Sequence, residues 1–176
     1  GHPQDRFLQK VQELCRRRGA VFILDEMITG FRWHLHGAQT YYDVQPDMAT
    51  FGKGIGNGFA IAVLAGKREI MQLGGLDHER ERVFLISTTH GAENHALAAG
   101  REVLRIYREE PVVEHMWNIG QLLIDGLNHA AADAGLTVQF EAGGVACSPY
   151  FLCRDGKGEV SLPLRTLFLQ EMVKQG

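Results

Sequence analysis

Two residues of this sequence, Asp25 and Lys53, stand where a carboxylate and an amine could do chemistry together. Asp25 follows the apolar run VFIL, and Lys53 lies in the glycine-rich segment FGKGIGNG. Open α/β sheets bind their ligands beyond the carboxyl ends of parallel strands, and a carboxylate placed there needs a cation or hydrogen-bond donors. In a purely structural interpretation, which stays open at this point, Asp25 or Glu26 caps the next turn or pairs with Arg32.

The glycines around Lys53 suggest a phosphate-binding loop, but their spacing does not fit the known ones. A Walker A loop would need a glycine where Asp47 stands and a Ser or Thr in place of Gly54, and the GxGxxG spacing also fails. What remains is a lysine on a tight turn with few side chains, which lets a planar ligand approach its amine. A solvated loop lysine is the alternative interpretation.

Taken as a pair, the two residues suit a pyridoxal phosphate site. They are 53 − 25 = 28 positions apart and follow two different predicted strands. In such a site the lysine forms a Schiff base with the cofactor, and the acid pairs with the pyridinium nitrogen. With that nitrogen protonated, the cofactor takes up the electrons left when a Cα proton departs, and the freed lysine can move that proton.

The elements that would position this pair follow an α/β order. Apolar residues at helical spacing predict a helix over residues 5–18 that ends at Gly19. The run at 21–24 predicts a strand buried on both faces of a parallel sheet. Further strands are expected at 48–51 and 61–65, and the sheet is expected to continue through them.

The later part of the chain has a different pattern. Helix formers predict a helix over residues 92–109, which Pro111 interrupts before another helix over 112–134. Two β-rich pieces follow, the second with a turn at 155–158, and a last helix is expected from about Pro163. These pieces predict a second, smaller α+β unit.

Three strings resemble the class III, fold type I pyridoxal phosphate enzymes, especially the branch of glutamate-1-semialdehyde 2,1-aminomutase-like proteins. They are ILDEMITGFR, GAQTYYDVQPDMATFGKGIGNGFAIAVLAGKREIM and STTHGAENHALAAG, in that order. The resemblance implies an α/β fold, with the C-terminal part of a large, mixed or parallel-sheet domain in residues 1–110. It also implies that residues 111–176 hold a linking helix and the start of a small α+β C-terminal domain.

The resemblance also implies roles for single residues. Asp25 would be the pyridinium partner, Lys53 the Schiff-base lysine, and Met27 an apolar side chain packed on one face of the cofactor ring. Thr89, with Thr88 as the runner-up, would reach the phosphate of the pyridoxal 5'-phosphate bound by the neighbouring subunit. The working unit is therefore expected to be a homodimer with shared active sites.

The activity that the resemblance implies is transamination, in which an amino group moves between an amine or amino acid and a small oxo compound. The alternative within the family is an intramolecular aminomutase, but the stretch TTHGAE departs from the Ser-Gly-Asn-Pro-like stretch of that enzyme and favours transfer. Outside the family, the alternative is a non-catalytic α/β module in which Asp25 and Lys53 make only structural contacts. The family's early segments are absent, so the amino donor stays open and an isolated fragment of this kind is expected to be inactive.

Composition argues against other classes of function. The chain has 18 Lys and Arg against 21 Asp and Glu, a net charge of −3, without a basic stripe for nucleic acid. The longest apolar run, residues 59–65, is far shorter than the ~20 residues that span a bilayer. Three cysteines without a CxxC pair favour a reducing, cytoplasmic location. No metal is expected, because the histidines lack metal-ligand spacing.

Overall fold

The structure, a computed structural model, describes residues 3–81, 83 and 91–176. Its contacts divide the chain into a first unit that runs to Val113 and a second unit from Glu114 to Gly176. The helices and strands described in the first unit are α1 (Phe7–Arg18), β1 (Ile23–Asp25), α2 (Ala38–Tyr41), β2 (Met48–Phe51), β3 (Val63–Gly66), α3 (Arg68–Met71) and α4 (Asn94–Glu109). Short 3₁₀ turns follow β2 at Lys53–Ile55 and α3 at Gln72–Gly74. Helix α5 (Val112–Asp133) begins at the end of the first unit, and the second unit continues with β4 (Phe140–Val145), β5 (Ser148–Cys153) and α6 (Leu162–Gln175).

The strands of the first unit form a mixed sheet in the order β1-β2-β3. β1 and β2 run parallel, with Asp25 beside Thr50, whereas β2 and β3 run antiparallel, with Phe51 beside Val63. Only residues 52–62 connect β2 to β3, and a parallel crossover needs roughly a dozen residues or more. The short connection therefore returns the chain antiparallel, and the third predicted strand begins at Val63.

Strand β1 corrects one expectation, because it is covered on one face rather than on two. Ile23 is 54% exposed and Val21 just before the strand is 49% exposed, whereas Phe22 between them is buried. Successive side chains along a strand point to opposite faces. One face of β1 therefore contributes to the core, and no layer covers the other face within the described residues.

Backbone conformation sets the boundaries of the helices. Arg6 has a φ of 54°, so α1 begins at Phe7, and it ends as predicted at Gly19, whose φ is 63°. Ala92 has a φ of 55°, and α4 accordingly begins at Asn94 rather than at residue 92. Residues other than glycine avoid this left-handed region inside helices. No helix in the described ranges has both the length and the apolar character needed to cross a membrane.

The second unit is an antiparallel hairpin of β4 and β5 associated with two helices. The side chain of Asn128 on α5 donates to the carbonyl of Ala142 and accepts from its N–H, both at 2.8 Å. Phe140, Phe151 and Phe168 bring β4, β5 and α6 together in an aromatic cluster with ring centroids 5.0–5.9 Å apart. These contacts give the unit the α+β character that the sequence predicts.

The loop that follows β5 is the predicted turn. The carboxylate of Asp155 accepts from the N–H groups of Lys157 and Glu159 at 2.8 and 3.1 Å, and Gly158 has a φ of 82°. Cys153 at the end of β5 is buried, and this burial raises the pKa of its thiol. A buried neutral thiol is a core residue rather than a nucleophile.

Candidate active site

The parallel ladder between β1 and β2 brings the two predicted residues to one edge of the sheet. Asp25 is the last residue of β1 and pairs in register with Thr50 of β2. Lys53 opens the 3₁₀ turn that begins directly beyond Phe51 and Gly52. Both side chains therefore belong to the carboxyl ends of neighbouring parallel strands, where open α/β sheets place their ligands.

One carboxylate oxygen of Asp25 accepts two hydrogen bonds, and the other accepts none from the described residues. Its Oδ1 accepts from the backbone N–H of Met27 at 2.9 Å and from the hydroxyl of Thr50 at 3.1 Å. No other donor within the described residues bonds Oδ2. Asp25 is exposed, so this second oxygen is accessible to an external donor.

The neighbouring acid, Glu26, caps the start of α2 rather than the turn directly after β1. It is completely buried, and its carboxylate accepts from the N–H groups of Ala38 and Gln39 at 2.9 and 2.8 Å and from the hydroxyl of Thr29. These donors lie at the start of α2 and in the loop before it. A Cβ at Gly37, whose φ is 84°, would lie 2.5 Å from Oε1 of Glu26. Glu26 is thus a satisfied structural acid, whereas Oδ2 of Asp25 has no donor within the described residues.

Lys53 sits on a turn with an unusual backbone. Its φ is 44°, a left-handed conformation that costs a residue with a Cβ about 1–2 kcal/mol. Its carbonyl accepts from Gly56 and Asn57 at 3.1 and 3.0 Å, which closes the turn. The side chain is exposed, and its amine makes no ion pair or hydrogen bond within the described part of the chain.

The side chain of Met27 lies against the same turn. A Cβ built on Gly52 would lie 2.8 Å from Sδ of Met27 and still closer to its Cε. The absence of a side chain at Gly52 therefore makes the room that the thioether occupies. In the sequence, Gly52 is one of several glycines that flank Lys53, and nothing local shows that Met27 comes back onto it.

Aromatic rings support the loop that follows β1. Phe31 contacts Phe51 of β2 and Tyr107 of α4, each with ring centroids 5.8 Å apart. Burial raises the pKa of the Tyr107 phenol, and the nearby charge of Arg32 partly opposes this shift. These contacts hold the loop behind Asp25 against β2 and α4.

Two predicted residues, Thr88 and Thr89, lie outside the described residues. Within the described ranges, no group of three or more His, Cys, Asp or Glu side chains is placed to hold a metal ion. The rings of His34 and His36 are 5.5 Å apart, and Nδ1 of His34 accepts the backbone N–H of His36 at 3.1 Å. This contact belongs to the loop after β1.

Known proteins similar to this chain include an aminotransferase family and an aminomutase. A family model described as "Aminotransferase class-III" matches residues 1–148. Glutamate-1-semialdehyde 2,1-aminomutase of Thermodesulfovibrio yellowstonii is 36% identical over 149 residues, which are 85% of this chain and 34% of the aminomutase. The chain therefore spans about a third of the length of that curated relative.

Solved structures also match most of the chain. A pyridoxal phosphate form of the FumI protein of Sphingopyxis sp. MTA144 matches with a TM-score of 0.74 and 26% identity, covering 85% of this chain and 34% of that protein. An omega-transaminase of Sphaerobacter thermophilus matches with a TM-score of 0.68 and 28% identity, covering 82% and 32% of the two chains.

Proposed function

This chain belongs to the class III aminotransferase family, and from that premise we propose that the edge formed by β1 and β2 is the pyridoxal 5'-phosphate site of a transaminase. The chain has the mixed α/β structure of the fold type I pyridoxal phosphate transaminases, which is the fold class expected from the sequence. Because the chain spans only about a third of the length of the aminomutase, we propose rather than assign the activity of the whole protein.

The proposed reaction moves an amino group between an amine or amino acid and a small oxo compound. The main support for this reaction is a single structural observation. At neighbouring ends of two parallel strands, Asp25 presents a carboxylate oxygen without a donor, and Lys53 presents an amine without a partner in the described residues. Glu26, by contrast, is buried and has both of its oxygens satisfied, as a structural acid does.

The residues present fit pyridoxal phosphate. The cofactor offers an aldehyde that a lysine amine can bind covalently and a ring nitrogen that a carboxylate can pair with, and when bound it supplies an electron sink for the charge left at the substrate Cα. Lys53 would hold the cofactor through its amine and move the proton at Cα as a general base. Oδ2 of Asp25 would accept the ring N–H and keep the proton on that nitrogen.

Two further residues complete the proposal. Met27 would pack on one face of the cofactor ring, supported by the position of its thioether beside the Lys53 turn. Thr89, with Thr88 as the runner-up, would bind the cofactor phosphate of the neighbouring subunit in a homodimer with shared active sites. The support for this assignment is the order and spacing of the three family strings.

The domain assignment and the cellular location are also proposals. Residues 1–110 would be part of the large cofactor-binding domain, and residues 111–176 the linking helix and the start of the small domain. A cytoplasmic location is supported by the cysteine pattern, because the three cysteines of the sequence form no CxxC pair.

An intramolecular aminomutase is the second candidate function. The observation in its favour is the 36% identity to an aminomutase over most of this chain. The stretch TTHGAE favours transfer instead. Incubating the holoenzyme with an amino donor, with and without an added 2-oxo acid, separates the two. Transfer requires the added acid, whereas isomerisation of an amino aldehyde proceeds without it.

The role of Asp25 is tested by the variant Asp25→Asn in the holoenzyme. We expect the cofactor to remain bound and turnover to fall on the order of 10²-fold or more, because an amide cannot hold the ring nitrogen protonated. Asp43→Asn changes an exposed acid of the same unit and should leave turnover unchanged. Near-normal turnover in Asp25→Asn would reduce Asp25 to a structural residue.

A further inference from the structure

Thr50 is bound to the end of β1 through both its backbone and its side chain. It lies opposite Asp25 in the parallel ladder, and its carbonyl accepts the N–H of Glu26 at 2.9 Å. Its hydroxyl donates to Oδ1 of Asp25 at 3.1 Å. The hydroxyl is therefore carried on a strand whose position relative to β1 is already fixed by the ladder.

The two donors to Asp25 come from different elements and converge on one oxygen. The N–H of Met27 belongs to the loop after β1, and the hydroxyl of Thr50 belongs to β2. A single hydrogen bond to a carboxylate leaves the group free to rotate about its Cβ–Cγ bond, whereas two donors from separate directions fix that rotation. With Oδ1 held in this way, the direction in which Oδ2 points is fixed as well.

We propose that Thr50 is a positioning residue, whose hydroxyl holds Oδ1 of Asp25 so that Oδ2 faces the ring nitrogen of the cofactor. The inference rests on the proposed function, since it assumes that pyridoxal phosphate binds at this edge. It adds a residue that the sequence did not single out, because a threonine inside a strand carries no signal of its own. Only the register of β1 against β2 places its hydroxyl beside the acid.

The test compares Thr50→Val, Thr50→Ser and Thr40→Val in the holoenzyme. Valine keeps the shape and the β-propensity of threonine but has no donor, so the strand should still form. Serine keeps the donor. Thr40 lies exposed on α2, and Thr40→Val is the matched control for the loss of a threonine hydroxyl in the same unit.

Two measurements are made on each variant. The first is steady-state kinetics, in which Thr50→Val should lower kcat about tenfold with little change in KM, as expected for the loss of one hydrogen bond to a charged group. The second is the NMR chemical shift of the ring nitrogen after reconstitution with ¹⁵N-labelled pyridoxal phosphate. That signal should move in Thr50→Val, return to the wild-type position in Thr50→Ser and stay unchanged in Thr40→Val.

The outcomes separate this inference from the function on which it rests. If the wild-type signal is that of a protonated ring nitrogen and Thr50→Val leaves both the signal and kcat unchanged, the positioning role is wrong and the cofactor site stands. If wild-type protein shows no bound, protonated cofactor, the proposed function is wrong and the positioning role falls with it. Loss of kcat in Thr50→Val that serine does not restore would also contradict the inference.

Discussion

At the scale of single residues, the space beside Lys53 exists because its neighbour, Gly52, is a glycine. Gly52 has no Cβ, and the end of the Met27 side chain occupies the position that a Cβ would need. The thioether is the flexible end of a long side chain, so it can move away at small cost. A larger residue at position 52 would therefore move the side chain of Met27 but would change the free energy of unfolding little.

We predict that Gly52→Ala displaces Met27 and weakens cofactor binding about fivefold, the size expected when a sulfur–aromatic contact is lost. Titration of the apoprotein with pyridoxal phosphate measures the Kd. Gly54→Ala is the matched control, because a Cβ there would make only ordinary contacts of 3.6 Å with Gly30 and Phe31. Equal Kd values for the two variants would show that Met27 does not contact the ring.

The adjacent acids Asp25 and Glu26 show what can be predicted at this scale. The type of residue and its place after an apolar run were enough to single out Asp25. They could not tell which acid would be satisfied, because the donors to Glu26 are the N–H groups of Ala38 and Gln39, twelve and thirteen residues further along the chain. Asp25 is exposed at the last position of β1, whereas Glu26 just beyond the strand is buried, and this difference in burial depends on the surrounding chain.

At the scale of elements, the ends of the first sheet opposite the candidate site are joined by one acid. Asp47 precedes β2, and its carboxylate accepts the N–H of Phe22 at 2.8 Å and pairs with the amine of Lys67 at 2.6 Å. The hydrogen bond from Lys67, followed by that from Phe22, lowers the pKa of Asp47. This carboxylate thus ties together the chain before β1, the chain before β2 and the chain after β3.

The lowered pKa makes this contact sensitive to acid. Its contribution to stability is complete above the pKa of Asp47 in the unfolded chain, which is about 4, and is lost as the pH falls through the lower folded value. We predict that Asp47→Asn loses less stability than wild type between pH 6 and pH 3, by about 1 kcal/mol or less because Lys67 is half exposed. Urea unfolding at several pH values measures this difference.

Asp43→Asn is the control for that experiment, since it removes an exposed acid of the same unit. Its stability should follow the wild-type pH dependence. If Asp47→Asn and Asp43→Asn show the same pH dependence as wild type, the contact between Asp47 and Lys67 contributes nothing to stability.

In the second unit, α5 packs closely on the hairpin at one glycine. A Cβ on Gly120 would lie 2.6 Å from the carbonyl carbon of Ala146 and still closer to its oxygen. These are backbone atoms, which cannot move aside cheaply. We predict that Gly120→Ala lowers the free energy of unfolding by about 2 kcal/mol or more, as overpacking of a core does.

Gly126 on the same helix provides the comparison, because nothing lies within 4 Å of a Cβ built there. Gly126→Ala should raise the free energy of unfolding by up to about 1 kcal/mol, the helix propensity of alanine over glycine. Urea unfolding of both variants measures the difference. A stabilising Gly120→Ala would mean that α5 does not pack on the hairpin as described.

At the scale of the whole molecule, the order of the strands and the long helices was predictable, whereas the short helices α2 and α3 and the layers were not. The 3.6-residue spacing of apolar residues was enough for α1, and the helix-forming residues with the break at Pro111 were enough for α4 and α5, because helices depend on local contacts. The burial of the two faces of β1 depends on which elements pack against the strand, and local sequence does not show these. Ile23 is more than half exposed in this chain, although the apolar run predicted burial on both faces.

The proposed sharing of sites between subunits gives a prediction at the same scale. In a mixed dimer, a Lys53→Ala subunit combined with a Thr89→Val subunit places both changes in one site and leaves the other site intact. About half of the wild-type sites should then be active, measured by turnover per dimer. A site built within one chain would leave both sites impaired, and a fully active monomer would contradict the role of Thr89.

The central claim is that Lys53 binds pyridoxal phosphate covalently, and reductive trapping tests it most directly. Borohydride treatment of the holoenzyme, followed by peptide mass mapping, should find the reduced cofactor on Lys53. Lys53→Ala should lose the adduct, and Lys67→Ala should keep it, because the amine of Lys67 is paired with Asp47 at the far end of the sheet. Trapping on another lysine, or equal loss of the adduct in both variants, would contradict the account.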